Sequence, residues 1–172
     1  MQEEILILVD KHDQPQGTMP KMQAHIEGRL HRAFSVMIYN KKGELLIQKR
    51  ADVKYHSAGL WANTCCGHPR VGEDNMQAAQ RRLNEEMGFS CDLKKVGEVC
   101  YELPLENGLH EHEYTHVFSG VWNGALSPNP EEVSETNWVT PSELRKRAAD
   151  NPAEYARWFE FYLREYYDEV FS

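Results

Sequence analysis

The stretch WANTCCGHPR, residues 61–70, sets Cys65 and Cys66 side by side, with His68 two places further on. Adjacent cysteines make strained disulfides, and the CxxC spacing of a zinc knuckle is absent. Three chemistries remain: a reactive thiol, part of a metal site, or two small buried residues before a turn. The last is the common fate of free cysteine. A second stretch, RRLNEEMG, ends a helical pattern with Glu85 and Glu86. Carboxylates in a last helical turn face the negative end of the dipole and cost about 0.3–1 kcal/mol each when exposed. An i,i+4 pair from Arg82 to Glu86 accounts for one of them. Two together point to a hard cation, with magnesium the natural partner when a phosphorylated ligand supplies further oxygens.

These groups need a scaffold. The 172 residues are most simply one domain, 1–172, long enough to bury a sizeable core. The longest apolar run, ILILV, is too short to span a bilayer, so no membrane partner is expected. MQEEILILVD carries acids where a secretory signal needs bases. Cys65, Cys66, Cys91 and Cys100 are spaced too unevenly for a disulfide framework, which fits a reducing, cytoplasmic compartment. A formal charge of −8 argues against nucleic acid as a partner. Local bases can still hold a small anion. No exposed heptad face is present, and a monomer is expected.

Periodicity places the chemistry on elements. ILILV reads as a strand and DKHDQPQG as a turn-rich segment. AFSVMIYNKKGELLIQKR reads as two strands around the hairpin signal NKKG, and ADVKYHSAGLW as a loop. EDNMQAAQRRLNEEMG reads as a helix, with Asp74 or Asn75 as its N-cap and Gly88 just past its end. Met76, Ala79, Leu83 and Met87 form its apolar stripe. DLKKVGEVCYEL and HEHEYTHVFSGVW read as strands, and residues 141–171 as largely helical with a break near Pro152. Strands and helices mix without strict alternation, which predicts an α/β protein with a mixed sheet flanked by helices.

From Gly67 the spacing is a glycine, five residues, Glu73, seven residues, then Arg81-Arg82-Leu83-Asn84-Glu85-Glu86-Met87-Gly88-Phe89. This resembles the Nudix box, a loop–helix–loop that binds magnesium and diphosphate. It departs at Arg82, where Nudix hydrolases carry glutamate. A cation there suits gripping diphosphate better than collecting metal ions to activate water. Glu73 is also accounted for by the helix dipole alone. The run Asn63-Thr64-Cys65-Cys66-Gly67-His68-Pro69 resembles the active-site segment of the type 1 isopentenyl-diphosphate isomerases, which have a Nudix-type fold. GTMPKMQAH, GRLHRAFS, KRADVK, ENGLHEHEYTHVF and YARWFEF resemble that family in the same order, over nearly the whole chain.

The resemblance implies His25, His31, His68, Glu111 and Glu113 as ligands of one manganese or zinc ion. The residue types suit this. Glu111 and Glu113 share a strand face and repel unless a cation or proton separates them, and imidazoles with carboxylates suit such metals. His110, His112 and His116, on the other face, read as solvated. The resemblance further implies Glu86 as the magnesium ligand, and Lys21, Arg50, Lys54 and Arg82 as the diphosphate grip. The implied reaction moves a double bond through a tertiary carbocation, with an acid and a base on opposite faces of the substrate. Cys66 and Glu113 are the implied pair, Tyr101 a hydrogen-bond partner of Glu113, and Trp158 the wall facing the cation. The first expectation has Glu113 protonate the alkene and Cys66 take the allylic proton; the reverse stays open. Cys65, Cys91 and Cys100 are expected to be structural, and Trp61 and Trp138 to belong to the core. Two alternatives stand beside this reading: a Nudix pyrophosphohydrolase acting on a small diphosphate, and a noncatalytic binding module.

Overall fold

Alternation along HRAFSVMIY organises the protein. In β3 (His31–Tyr39), Phe34, Val36 and Ile38 enter one core and Met37 enters another on the opposite face. The computed structural model describes residues 3–54 and 56–171. Before β3 come β1 (Ile5–Val9), β2 (Pro15–Pro20) and α1 (Lys21–Glu27). After it come β4 (Leu45–Arg50), β5 (Trp61–Ala62), β6 (Cys65–Gly67), α2 (Asn75–Met87), β7 (Lys94–Pro104), β8 (His110–Val121) and β9 (Val133–Val139). The chain then turns helical through α3 (Pro141–Asp150), a 3-10 turn at Pro152–Glu154, α4 (Arg157–Glu165) and α5 (Tyr167–Phe171).

Among the described residues nine strands form one mixed sheet. β3 lies parallel to β8 over nine residue pairs, His31↔Glu113 to Tyr39↔Val121. It is antiparallel to β6 over three, Phe34↔Gly67 to Val36↔Cys65. β7 pairs antiparallel with β8 and sets Tyr101 opposite Glu113. The NKKG hairpin closes with a single pair, Tyr39↔Leu45, because β4 turns away to pair with β5 and β9. α2 covers the face that carries Phe34, Cys65 and Phe118, while α3 to α5 cover the face that carries Met37, Tyr101 and Val117.

α2 follows the expected pattern. Asp74 is its N-cap, Gly88 closes it in the left-handed conformation at φ 75°, and Ala79, Leu83 and Met87 are buried. The break at Pro152 is also present. Three expectations are corrected. The turn-rich segment from Asp10 becomes strand at Pro15, because pairing with β1 supplies the backbone hydrogen bonds that its local sequence does not signal. His116 is buried rather than solvated, since Asp13, in a left-handed turn, reaches its Nε2 at 2.8 Å. Cys100 is exposed on β7, so it has no packing role, while Cys91 is half-buried beside the α2 core. Trp61 and Trp138 are half-buried against the two cores, as expected. Tyr55, inside the stretch read as a loop, lies outside the described residues.

Candidate active site

The register of three strands builds one polar cluster. β3 and β7 flank β8, so His31 and Tyr101 both stand beside Glu113. Tyr101 donates from its hydroxyl to Glu113 Oε1 at 2.7 Å, and Glu113 Oε2 lies 3.2 Å from His31 Nε2 and 3.0 Å from His68 Nε2. His25, from α1, sets Nε2 3.9 Å from Glu111 Oε1. All five residues His25, His31, His68, Glu111 and Glu113 are buried. The predicted ligand set is therefore gathered at one place.

The outer ring nitrogens show how the imidazoles are aimed. His25 Nδ1 meets the Lys21 carbonyl and His31 Nδ1 the Arg29 carbonyl, each at 2.8 Å. His68 Nδ1 lies 3.5 Å from Glu4 Oε1. A carbonyl can only accept a hydrogen bond, so each of these Nδ1 atoms carries a proton, and Nε2 is the nitrogen turned towards the carboxylates. That is the tautomer a metal-binding histidine needs. The donor set fits a divalent ion, and the electrostatics fit one too. Burial and the charge of Glu113 push Glu111 up to about 7. Burial also opposes the charged form of Glu113, yet the hydrogen bonds of His31 and His68 hold it well below the usual carboxylate range. Burial lowers His68, but its bonds to Glu113 and Glu4 outweigh that and raise it to about 9. Two carboxylates in one buried pocket are held by positive charge.

Beside this cluster opens a cavity of about 840 Å³. Its lining includes Cys66, Glu86, Glu111, Glu113, His68 and Trp158, and all four predicted bases, Lys21, Arg50, Lys54 and Arg82. His25, His31 and Tyr101 stand behind that lining. Alternation along β6 separates the two cysteines: Cys65 packs under α2, and Cys66 faces the cavity. Cys66 Sγ donates to Asn63 Oδ1 at 3.2 Å, an oxygen that also accepts from Trp158 Nε1 at 3.1 Å. Asn63 thus ties the thiol to the indole. Burial pushes the Cys66 thiol up to about 12. The Arg50 guanidinium lies 5.1 Å from the Trp158 ring centre, so the indole face already meets a cation.

The box residues divide into structural and site-facing members. Glu73 accepts two hydrogen bonds from Arg81, at 2.8 and 3.0 Å, and clamps the loop onto α2. That clamp gives it a role beyond the helix dipole. Arg82 reaches Glu85 at 2.7 Å, Glu86 at 3.0 Å and Glu132 at 3.3 Å. Glu86 is buried and accepts from Gln48 Nε2 at 3.0 Å. A side chain at Gly67 would place Cβ 2.8 Å from the Phe34 ring and 3.2 Å from Arg82 Cγ, which accounts for the first glycine of the box.

Sequence reasoning missed four residues here. Glu132 bonds Lys54 Nζ at 2.6 Å and lines the cavity, but it sits in an acidic loop like many others. Glu4 holds Lys21 at 3.2 Å as well as facing His68. His56 is buried, stacks on His25 at 5.7 Å and meets the Trp158 edge-on at 5.9 Å. Its ligand nitrogen groups with those of His25 and Glu111, and KYHS gave no spacing that would reveal it. Asn63 lay inside the quoted motif without an assigned task.

The NUDIX domain family model matches residues 29–159. The chain is 54% identical to isopentenyl-diphosphate Delta-isomerase 2 of Photorhabdus laumondii, an alignment covering 91% of this chain and 89% of that protein. It is 48% identical to the isopentenyl-diphosphate Delta-isomerase of Burkholderia multivorans, covering 91% and 89% respectively. The chain belongs to the isopentenyl-diphosphate isomerase family. Its fold is that of Nudix proteins. The DR0079 structure from Deinococcus radiodurans superposes with a TM-score of 0.77 at 22% identity, over 94% of this chain and 98% of that one. The MutT protein of Methanosarcina mazei gives 0.64 at 21%, over 81% and 93%. In this chain a Nudix scaffold carries Arg82, Cys66 and three clustered imidazoles.

Proposed function

We propose that this chain isomerises isopentenyl diphosphate to dimethylallyl diphosphate; its relatives are named isopentenyl-diphosphate Delta-isomerases. The observation that carries the reading is convergence. One cavity receives a thiol, an imidazole–carboxylate cluster, four bases and an indole face. Lys21, Arg50, Lys54 and Arg82 grip the diphosphate, with Arg the better fork for its oxygens. Trp158 gives the carbocation an electron-rich wall. Cys66 and Glu113 form the acid–base pair. One adds a proton to the terminal methylene and the other removes one from the allylic methylene, so the substrate gains and loses one proton each turnover. Tyr101 holds Glu113 in place through its 2.7 Å bond. A manganese or zinc ion on His25, His31, His68, Glu111 and Glu113 would supply the charge that keeps both carboxylates together, and magnesium on Glu86 would neutralise diphosphate oxygens. In this reading the protein acts as a cytoplasmic monomer of one domain; among the described residues no helix is long and apolar enough to cross a membrane.

The test is incubation of the metal-loaded protein with isopentenyl diphosphate and magnesium, followed by proton and phosphorus NMR. Dimethylallyl diphosphate should accumulate with no phosphate released. Release of inorganic phosphate or a monophosphate would establish a hydrolase instead. An unchanged substrate would reduce the site to a binding module.

A further inference from the structure

A further imidazole reaches the polar cluster from the loop between β4 and β5. His56 is buried and lines the cavity. Its ring centre lies 5.7 Å from that of His25. The centres of His25 and His31 are 5.3 Å apart, those of His31 and His68 5.1 Å, and those of His25 and His68 6.2 Å. His56 thus joins the cluster at the spacing its members keep from one another. Ligand atoms of His25, His56 and Glu111 all lie within 4.8 Å of one another, as do those of His25, His31 and Glu113. The two triads share His25, whose Nδ1 meets the Lys21 carbonyl. One ring nitrogen of His25 is left for both triads, so they meet at one centre. Glu111 supplies a second observation. It is buried, and among the described residues its Oε2 has no hydrogen-bond donor. An acceptor so placed is costly unless a cation or a proton meets it. The loop itself is fastened on both sides of His56. Arg50 Nη2 donates to the His56 carbonyl at 3.3 Å, the Ser57 N–H donates to the Glu106 carboxylate, and the Gly59 N–H donates to the Arg50 carbonyl at 2.9 Å. Ser57 takes φ 55°, a left-handed conformation that a residue other than glycine keeps only where its surroundings fix it. Its Oγ lies 3.2 Å from His56 Nδ1. With Nδ1–H donating to that hydroxyl, the lone pair of the ring is on Nε2.

We propose that His56 is a ligand of the cluster's divalent ion, an additional imidazole beside His25, His31 and His68. The inference rests on the preceding reading of the imidazole–carboxylate cluster as a metal centre. These imidazoles with Glu111 and Glu113 make six donors, the full count of an octahedral shell. A further nitrogen donor also moves the site's preference from manganese towards later ions such as zinc, which imidazole suits better. The same residue meets the Trp158 ring edge-on at 5.9 Å, and its carbonyl holds Arg50. Ligation of His56 therefore ties the metal centre to the indole wall and to one base of the diphosphate grip. Packing alone explains less. An apolar ring would fill the space between His25 and Trp158 equally well, but it would bring no ligand atom to Glu111.

The experiment loads the chelator-stripped protein with cobalt(II) and records proton NMR spectra in light and heavy water. An imidazole that binds cobalt through Nε2 gives a strongly shifted signal from its Nδ1 proton, and that signal is lost on exchange into heavy water. The wild-type protein should show one such signal for each of His25, His31, His56 and His68. His56→Ala should lose one of them. Its zinc affinity, measured by competition with a chelating dye, should fall by at least the 10–100-fold or so that losing an outer-shell partner costs. If that variant fails to fold, the wild-type spectrum decides alone. Signals from only three imidazoles, unchanged in His56→Ala, would overturn the proposal whatever the affinity does, and would leave His56 as packing between His25 and Trp158. A wild-type protein with no shifted signal would overturn it together with the metal reading of the cluster. Turnover of isopentenyl diphosphate by the zinc-loaded wild type is followed in parallel. The full set of shifted signals without turnover would remove the proposed reaction and leave His56 a ligand.

Discussion

At the scale of residues, the sharpest result is the contrast between two neighbours of identical chemistry. Cys65 is fully buried under α2, and Cys66 faces the cavity with a hydrogen bond to Asn63. Alternation along a strand could be anticipated from the sequence. The thiol's partners could not, because Ser35 and Asn63 are ordinary residues until register sets them beside sulfur. Cys66→Ala removes only one sulfur atom from a half-buried position and should leave the melting temperature nearly unchanged. It should lower kcat by about 10²–10⁴-fold, the usual contribution of a positioned acid or base. Steady-state kinetics beside a thermal melt decides the matter, and retained turnover would take the thiol out of the chemistry. Tyr101→Phe tests the other end. It deletes the one hydroxyl that reaches Glu113 Oε1 and leaves a buried carboxylate oxygen short of a donor. The expected outcome is a fall in kcat with KM for the diphosphate held, since Tyr101 touches none of the four bases. A rise in KM alone would assign it to binding.

At the scale of elements, α2, the break at Pro152 and the paired strands β7 and β8 were legible because each carries its own periodicity and punctuation. β2, α1 and β9 were not. β2 is exposed along much of its length and β9 alternates weakly, so their pairing partners, not their composition, make them strands. The ligand set was legible only through family resemblance: nothing in the spacing of His31 and Glu113, or of Tyr101 and Glu113, announces that register sets them together. The end of α2 supplies a test at this scale. Gly88 adopts φ 75°, and a Cβ there would collide with the Ser127 carbonyl oxygen. The loop beyond is fastened to the same helix end, with Ser127 N–H donating to the Met87 carbonyl at 3.0 Å and Asn129 N–H to the Glu86 carbonyl at 2.9 Å. Gly88→Ala must therefore displace the loop that also carries Glu132. We expect a loss of about 1–3 kcal/mol in urea unfolding, from backbone strain and overpacking. KM for the diphosphate should rise as well, because Glu132 orders Lys54 and Arg82. A stability change below about 0.5 kcal/mol would show that the turn relaxes freely.

At the scale of the molecule, the polar cluster draws on α1, β3, β8 and the residue that follows β6, so its charge state bears on the stability of the whole fold. Without a metal ion the signs can be worked out group by group. Burial and the neighbouring Glu113 raise Glu111 from 4.5 to about 7, so its contribution is intact below pH 4.5 and is lost as pH rises through 7. His68, lowered by burial but raised overall by Glu113 and Glu4 from 6.5 to about 9, contributes stability below pH 6.5 that is lost as pH rises through 9. Two groups act in the opposite sense. Burial drops His56 from 6.5 to about 2 and lowers His31, so these favour folding as pH climbs towards 6.5 and then stop changing. Glu113, held low, matters only in acid. Between pH 4.5 and 6.5 the terms oppose one another, from 6.5 to about 7 Glu111 and His68 act together, and from there to about 9 the loss comes from His68. The chelator-treated protein should therefore lose melting temperature steadily from pH 6.5 to 9. Metal binding takes up the same lone pairs and carboxylates and releases those protons, so the metal-loaded protein should hold or gain stability over that range. The gap between the two melting curves must widen with pH. A constant gap, or a metal-free protein that grows more stable towards pH 9, would mean that Glu111 and His68 are not the groups that govern the metal-free state.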